Sequence, residues 1–325
     1  MSQQQDRAGF TCRRLSSAFA ALLAVALAAL PSVGTAVCPG AVSVQVLGSG
    51  GPIANNKRAS SGYLLWINGS ARLMVDAGGG TFARFGNSSA SVDDLDAIAL
   101  THLHVDHAVE LPAYLKSAWF GAREQPLPIV GPTGGGDFPG LNEFMEDLFG
   151  ADHGAFRYLS GYLSGGEGYF KTPLYETDAD SREPQQVLKT PHFTLTAIGV
   201  RHGPVPALAY LVKVGELRIA FSGDQNGDNP QFGKMIKGAD LLVMDHAVPE
   251  DTDRIAASLH ARPSEIAQLA DEAGVHHLLL SHLMPRSERA LEDSLTLITK
   301  RYHGKLTVAA DLMCVELPAS KAKAR

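Results

Sequence analysis

The sequence predicts an α/β fold in which two β-sheets pack face to face under outer layers of helices. Three observations carry that expectation. Short β-type runs recur in consecutive sets, helical stretches bounded by Gly or Pro fall between them, and 325 residues at 45% hydrophobic content can bury a large core. Sheets assembled this way need both faces covered, and a sandwich with helices outside provides that.

The first set of strands reads VSVQVL (42–47), YLLWI (63–67), RLMVDAG (72–78), LDAIALTH (95–102) and LPIVGP (127–132). The second reads FTLTAIGV (193–200), LAYLVKV and LRIAFSGD (208–224), DLLVMDH (240–246), HHLLLSH (276–282) and KLTVAADLMCVEL (305–317). Val214-Gly215-Glu216-Leu217 has the character of a hairpin turn. Helices are expected at about 107–120, 139–149, 263–273 and 286–301. The section 137–189, rich in Gly, Tyr and acids around YLSGYLSGGEGYF, differs in texture and reads as an insertion beside the site. Its ten acids against four bases give a net charge of −6, the wrong sign for gripping a nucleic-acid backbone.

The N-terminus carries Arg13-Arg14, an apolar run from Ala18 to Leu30, then Pro31 and the small residues Gly34-Thr35-Ala36. That order is the one a secretory signal peptide has, and the apolar run is short for a membrane span. Residues 1–36 are therefore expected to be a signal peptide cleaved near Ala36, leaving 37–325 as a periplasmic or secreted domain with no transmembrane segment. Its loss takes the formal charge from −6 to −8, so a global polyanion-binding surface is not favoured. Cys38 and Cys314 then remain in an oxidising compartment where a disulfide between them is chemically open, a pairing the sequence leaves undecided. Lipidation of Cys38 is the other reading, and Thr35-Ala36-Val37 before it suits that poorly.

The stretch THLHVDH (101–107) places three imidazoles and a carboxylate within six positions, just after the apolar run LDAIAL. Such groups crowd and desolvate one another unless a cation holds them together. If LDAIALTH is a strand, His102 and His104 project to one side by the period-two rule, while Asp106 and His107 open the next helix and point back across the same mouth. Imidazole and carboxylate suit zinc, and iron or manganese also tolerate them. Further ligand types close later strands: His202 after FTLTAIGVR, Asp224 in FSGD and His282 in HHLLLSH. Asp76 in VDAGGG is placed to orient a ligand imidazole or a loop amide, and His246 reads as core or supporting. His153, His192, His276 and His277 show no partner pattern. GPTGGG (131–136) lacks the Lys-Ser/Thr ending of a nucleotide P-loop.

Through HLHVDH, LGSGGP (47–52), VDAGGG (75–80), GPTG (131–134), FSGD (221–224) and SHLMPR (281–286), the chain resembles the metallo-β-lactamase superfamily. The order and spacing are most similar to its ribonuclease Z, arylsulfatase and cyclic-nucleotide phosphodiesterase branch. The resemblance implies an αββα sandwich of two mixed β-sheets flanked by helices. It also implies two Zn²⁺ ions, one held by His102, His104 and His202 and the other by Asp106, His107 and His282, with Asp224 as the bridge. Asp106 would also orient the attacking water or take its proton. In the ribonuclease Z group a His-Glu-Ala-Thr motif and a later His serve proton transfer. Here LLVMDHAV (241–248) and SLHARPSE (258–265) stand in their place, so Asp245 and His260 are the corresponding catalytic pair, with Met244 departing from the motif's histidine.

These readings converge on an exported dinuclear zinc hydrolase that cleaves a phosphodiester or similar charged ester by attack of a metal-bound hydroxide. Other superfamily chemistries (arylsulfatase, lactonase, least of all β-lactamase) and a non-catalytic periplasmic metal-binding module are the alternatives. Export and the acidic 137–189 section point to a small-molecule ester as substrate and make nucleic acid an unlikely partner.

Overall fold

The computed structural model describes residues 37–54 and 57–318. The expected signal peptide, residues 1–36, lies outside them. Two seven-stranded mixed sheets form the centre. The first contains β1 (Val42–Gly48), β2 (Gly62–Ile67), β3 (Ser70–Val75), β4 (Ala97–Ala99), β5 (Ile129–Pro132), β6 (Leu174–Thr177) and, at the edge beside β1, β14 (Cys314–Glu316). The second contains β7 (Gln185–Lys189), β8 (Thr194–His202), β9 (Val205–Val214), β10 (Leu217–Phe221), β11 (Leu241–Asp245), β12 (His277–Ser281) and β13 (Lys305–Val308) in that spatial order.

Each sheet is half antiparallel and half parallel. The pairings from β14 to β3 and from β7 to β10 are antiparallel, whereas those from β3 to β6 and from β10 to β13 are parallel. The Val214–Leu217 hairpin closes as the sequence predicts, with Gly215 at φ 56° supplying the left-handed turn position.

Strand alternation explains why β2 is apolar along its length. In β2, Tyr63, Leu65 and Ile67 enter the core between the sheets, while Leu64 and Trp66 enter a second core under the helices. Both faces are buried, so neither can be polar. The outer helices over the first sheet are α1 (Thr81–Asn87), α2 (Val105–Ala108), α3 (Leu111–Ala118), α4 (Leu141–Phe149) and α5 (Gly161–Ser164). Those of the second half are α6 (Pro230–Met235), α7 (Arg254–Leu259), α8 (Pro263–Glu272), α9 (Pro285–Arg289) and α10 (Leu291–Arg301). Among the described residues no helix is long and apolar enough to cross a membrane.

Three local expectations are corrected. The helix expected at 107–120 is two helices, because Pro112 sits in the first turn of α3 and restarts the chain there. The strand expected at 95–102 stops at Ala99, so His102 lies in a loop. The run 305–317 is two strands in different sheets, parted by a turn in which Leu312 takes φ 64°. The 137–189 section carries α4 and α5 and gives an edge strand to each sheet, β6 to one and β7 to the other.

Cys38 and Cys314 form a disulfide that joins residues 276 positions apart and fixes β14 where it pairs with β1. A cross-link closing so long a loop restricts the unfolded chain strongly, and bridges of this kind contribute about 2–4 kcal/mol. Replacing both cysteines by Ala is expected to reduce the unfolding free energy by that amount, read by equilibrium unfolding in urea; an unchanged midpoint would show the bridge to be energetically idle.

Candidate metal centre

The strand order delivers the site. β10, β11 and β12 run parallel, and β8, two antiparallel steps from β10, runs the same way. Their carboxyl ends therefore share one edge, where His202 ends β8, Asp224 follows β10, Asp245 ends β11 and His282 follows β12. From the first sheet, β3 leads into Asp76 and β4 into the loop with His102, His104 and α2. Close approach at this edge requires glycine. A Cβ on Gly78 would run into the Asp106 carbonyl, and one on Gly51 would sit 2.6 Å from the His282 ring. The VDAGGG and LGSGGP runs are thus packing requirements of the site.

Two groups of ligand atoms result. His102, His104 and His202 have side-chain donors within 4.8 Å of one another, and so do Asp106, His107 and His282. Asp224 joins both halves: it groups with His102 and His107 on one side and with His202 and His260 on the other. Its carboxylate lies 3.2 Å from His282 Nε2, 3.5 Å from His107 Nε2 and 3.8 Å from His202 Nε2. All seven sequence-predicted ligand residues are thus together, although His102 and His104 meet through a loop rather than along a strand.

The residues fit a metal on physical grounds. His102 Nε2 faces His104 Nδ1 at 3.1 Å, and His202 Nε2 faces the same atom at 3.4 Å, so imidazole nitrogens converge on one another. Burial pushes His102 well below its ordinary pKa, with the charge of His107 adding to the effect, and takes His202 down to about 4. Rings held neutral offer lone pairs, the form a cation needs. In the other group, His107 Nε2, 3.5 Å from both Asp106 and Asp224, is buried without a hydrogen-bond partner among the described residues. Burial opposes ionisation of Asp106, yet His107 and His282 outweigh it and bring the carboxyl down to about 2. Neutral imidazoles in the first group and ionised carboxylate in the second make a donor set for divalent ions.

Supporting groups fix the ligands. Asp76 accepts from Thr101 N–H at 2.7 Å, and its other oxygen lies 2.9 Å from His107 Nδ1. His202 Nδ1 lies 2.9 Å from the Leu259 carbonyl. Asp76 and His282 both occupy the left-handed region, at φ 61° and 54°, where a non-glycine residue persists only if its surroundings hold it. Sequence reasoning missed Thr101, whose hydroxyl also lies 3.1 Å from His102 Nδ1, and Glu110, whose carboxylate accepts from Gly80 N–H, Thr81 Oγ1 and Phe82 N–H. Neither has a pattern in a single sequence beyond closeness to the motif.

His260 and Asp245 meet as expected, Nδ1 to Oδ2 at 2.9 Å, beside Asp224. Burial acts on both groups of the pair. Burial pushes the Asp245 carboxyl well above the usual range, with the charge of Asp224 adding to it, and takes His260 down to about 4. His246 is buried, and among the described residues neither ring nitrogen has a hydrogen-bond partner. Of the remaining histidines, His192 pairs with Asp96 at 2.6 Å, His276 with Asp240 at 3.4 Å and His277 with Thr307 at 2.9 Å, while His153 is exposed.

The family profile described as the metallo-beta-lactamase superfamily matches residues 55–259. The chain belongs to the metallo-beta-lactamase superfamily. It is a metal-dependent hydrolase of ester bonds, and its resemblance to the ribonuclease Z and phosphodiesterase branch of the superfamily stands. The ribonuclease Z of Methanosarcina acetivorans is 29% identical over 308 residues, covering 85% of this chain and 98% of that one. That of Methanopyrus kandleri is 30% identical over 275 residues, covering 77% of this chain and 91% of its own. The crystal structure of human tRNase Z, short form, superposes with a TM-score of 0.63 at 21% identity, over 85% of this chain and 99% of that one, a likeness of fold.

These relatives overturn one expectation, that nucleic acid is an unlikely partner: proteins named for acting on RNA match this chain along nearly their whole length. The physical reason lies in the charge argument. A sum over 137–189 adds groups on different faces and says nothing about the charge at one groove.

Asp76 offers a test separate from the ligands themselves. An outer partner of a ligating imidazole is typically worth 10–100-fold in metal affinity. Asp76→Ala is expected to weaken the binding of divalent metal by about that factor in competition with a chelating dye. Unchanged affinity would mean that His107 needs no such orientation.

Proposed function

We propose that this protein is an exported dinuclear-metal phosphodiesterase whose substrates include RNA. The observation that carries the reading is the pair of ligand groups joined by Asp224, with the His260–Asp245 pair set against that same carboxylate. His102, His104 and His202 would hold one ion, Asp106, His107 and His282 the other, and Asp224 would touch both. Zinc is favoured by the imidazole-rich set of nitrogen and oxygen donors. Two such ions, when bound, supply Lewis acidity toward the phosphoryl oxygen and lower the pKa of water.

The chain's own groups account for the proton traffic. Asp106, held ionised, is a proton acceptor at the edge of the second group. His260 uses Nδ1 for Asp245, which leaves Nε2, with no hydrogen-bond partner among the described residues, to give a proton to a departing oxygen. Giving that proton lowers the charge of the His260–Asp245 pair by one, and uptake of a proton from solvent restores it before the next turnover. Relatives named ribonuclease Z support the phosphodiester as the bond cleaved. Export is supported by the order of residues 1–36 and by the Cys38–Cys314 disulfide, a bond typical of oxidising compartments.

The leaving group separates a proton donor from a ligand. His260→Ala is expected to keep both metals by elemental analysis and to lose roughly 10²–10⁴-fold in rate on a ribonucleotide linkage, whose alkoxide needs a proton. The loss on bis(p-nitrophenyl) phosphate should be much smaller, since that phenolate leaves as an anion. Asp245→Asn should follow the same trend more weakly. Equal losses on both substrates, or loss of metal, would make His260 a ligand or a structural residue.

A further inference from the structure

Beside the metal centre a groove of about 420 Å³ opens between the end of β5 and the last residues of β8. Its wall includes Gly203, the residue after His202, and Gly135, which is hydrogen-bonded to Phe138, whose ring centroid lies 6.0 Å from that of His104. The GPTGGG loop forms one side. Gly135 and Phe138 exchange backbone hydrogen bonds at 3.0 and 3.1 Å, which folds the loop back on itself, and Gly136 takes φ 60°. Among the described residues, the amides of Gly134 and Gly136 have no protein acceptor. Arg182 and Arg201 line the groove together with one carboxylate, Asp180.

Both arginines are held by the same residue. Arg201 Nε lies 3.4 Å from the Asp228 carboxylate, and Arg182 Nη1 donates to the Asp228 carbonyl at 3.0 Å. The ion pair is 49% and 67% exposed on its two sides, so it is weak and exchangeable. A phosphate can replace it with charge-assisted, bidentate bonds. Free backbone amides in a tight glycine turn add to such a site without the Lys-Ser/Thr of a nucleotide loop.

We propose that this groove binds a second phosphate of an oligonucleotide, next along the strand from the linkage at the metal centre, through Arg182, Arg201 and the Gly134–Gly136 loop. The proposal rests on the phosphodiesterase reading and narrows it: a strand with flanking phosphates reaches the groove, and an ester with a single phosphate does not. Sequence preference is not expected, because the groove presents cationic and backbone groups for phosphate.

The test uses the metal-loaded protein and a fluorescently labelled RNA octamer with non-cleavable linkages, read by anisotropy. R182A/R201A should weaken Kd at least about 10-fold. The slope of log Kd against log salt should become shallower by about 0.7 for each phosphate that the variant no longer neutralises. R182K/R201K, which keeps the charge, should recover part of the affinity. In turnover, the ratio of kcat/KM on a cleavable octamer to that on bis(p-nitrophenyl) phosphate should fall by a similar factor. An unchanged Kd and salt slope in R182A/R201A would overturn the proposal whether or not the protein cleaves diesters. Failure of the wild type to cleave either substrate would instead count against the phosphodiesterase reading, leaving the binding result to decide the groove.

Discussion

Asp224 is the constraint around which the rest is arranged. It is 3% exposed, at the carboxyl end of a central strand, and it lies within 3.9 Å of four histidines: His107, His202, His260 and His282. A buried carboxylate needs positive charge or donors nearby, and a buried imidazole cluster needs negative charge or a cation. The carboxylates and imidazoles gathered in this pocket satisfy each other only in part: among the described residues His107 Nε2 has no hydrogen-bond partner. Two divalent ions would complete the balance. The fold supplies the setting: parallel strands end at one edge, glycines let loops pass within contact distance, and Asp76 and His282 are held at positive φ.

Much of this was legible in the sequence because the governing rules are local. Apolar runs on both faces of Leu64-Leu65-Trp66 mark a strand buried twice over, and HLHVDH marks ligands that the following short helix turns inward. The glycine runs were readable as motifs, but their cause, close approach to Asp106 and His282, is a long-range fact. What stayed hidden was also long-range. The division of 305–317 between two sheets depends on which edge each half pairs with, and the use of Glu110 as an acceptor for α1 depends on where α1 lies. His202, far along the chain from every other predicted ligand except Asp224, became placeable through the Leu259 carbonyl that orients its ring.

Charge was read too coarsely at two scales. At the scale of the segment, a net −6 over 137–189 concealed that Arg182 lines a groove together with Arg201, both held by Asp228. At the scale of one pair, Asp245 beside His260 suggested an isolated ion pair, whereas His260 Nδ1 also lies 3.9 Å from the Asp224 carboxylate, so three buried groups share the local charge. In both cases the sum of charges was right and their placement decided the chemistry.

The central claim is that this edge holds two ions joined by one carboxylate. Anomalous diffraction at the zinc edge, on crystals of zinc-reconstituted protein, tests it most directly. The expected result is two peaks about 3.5–4 Å apart, one bounded by His102, His104 and His202, the other by Asp106, His107 and His282, with Asp224 in contact with both. A single peak, or an ion held by His260 in place of the second group, would contradict the account.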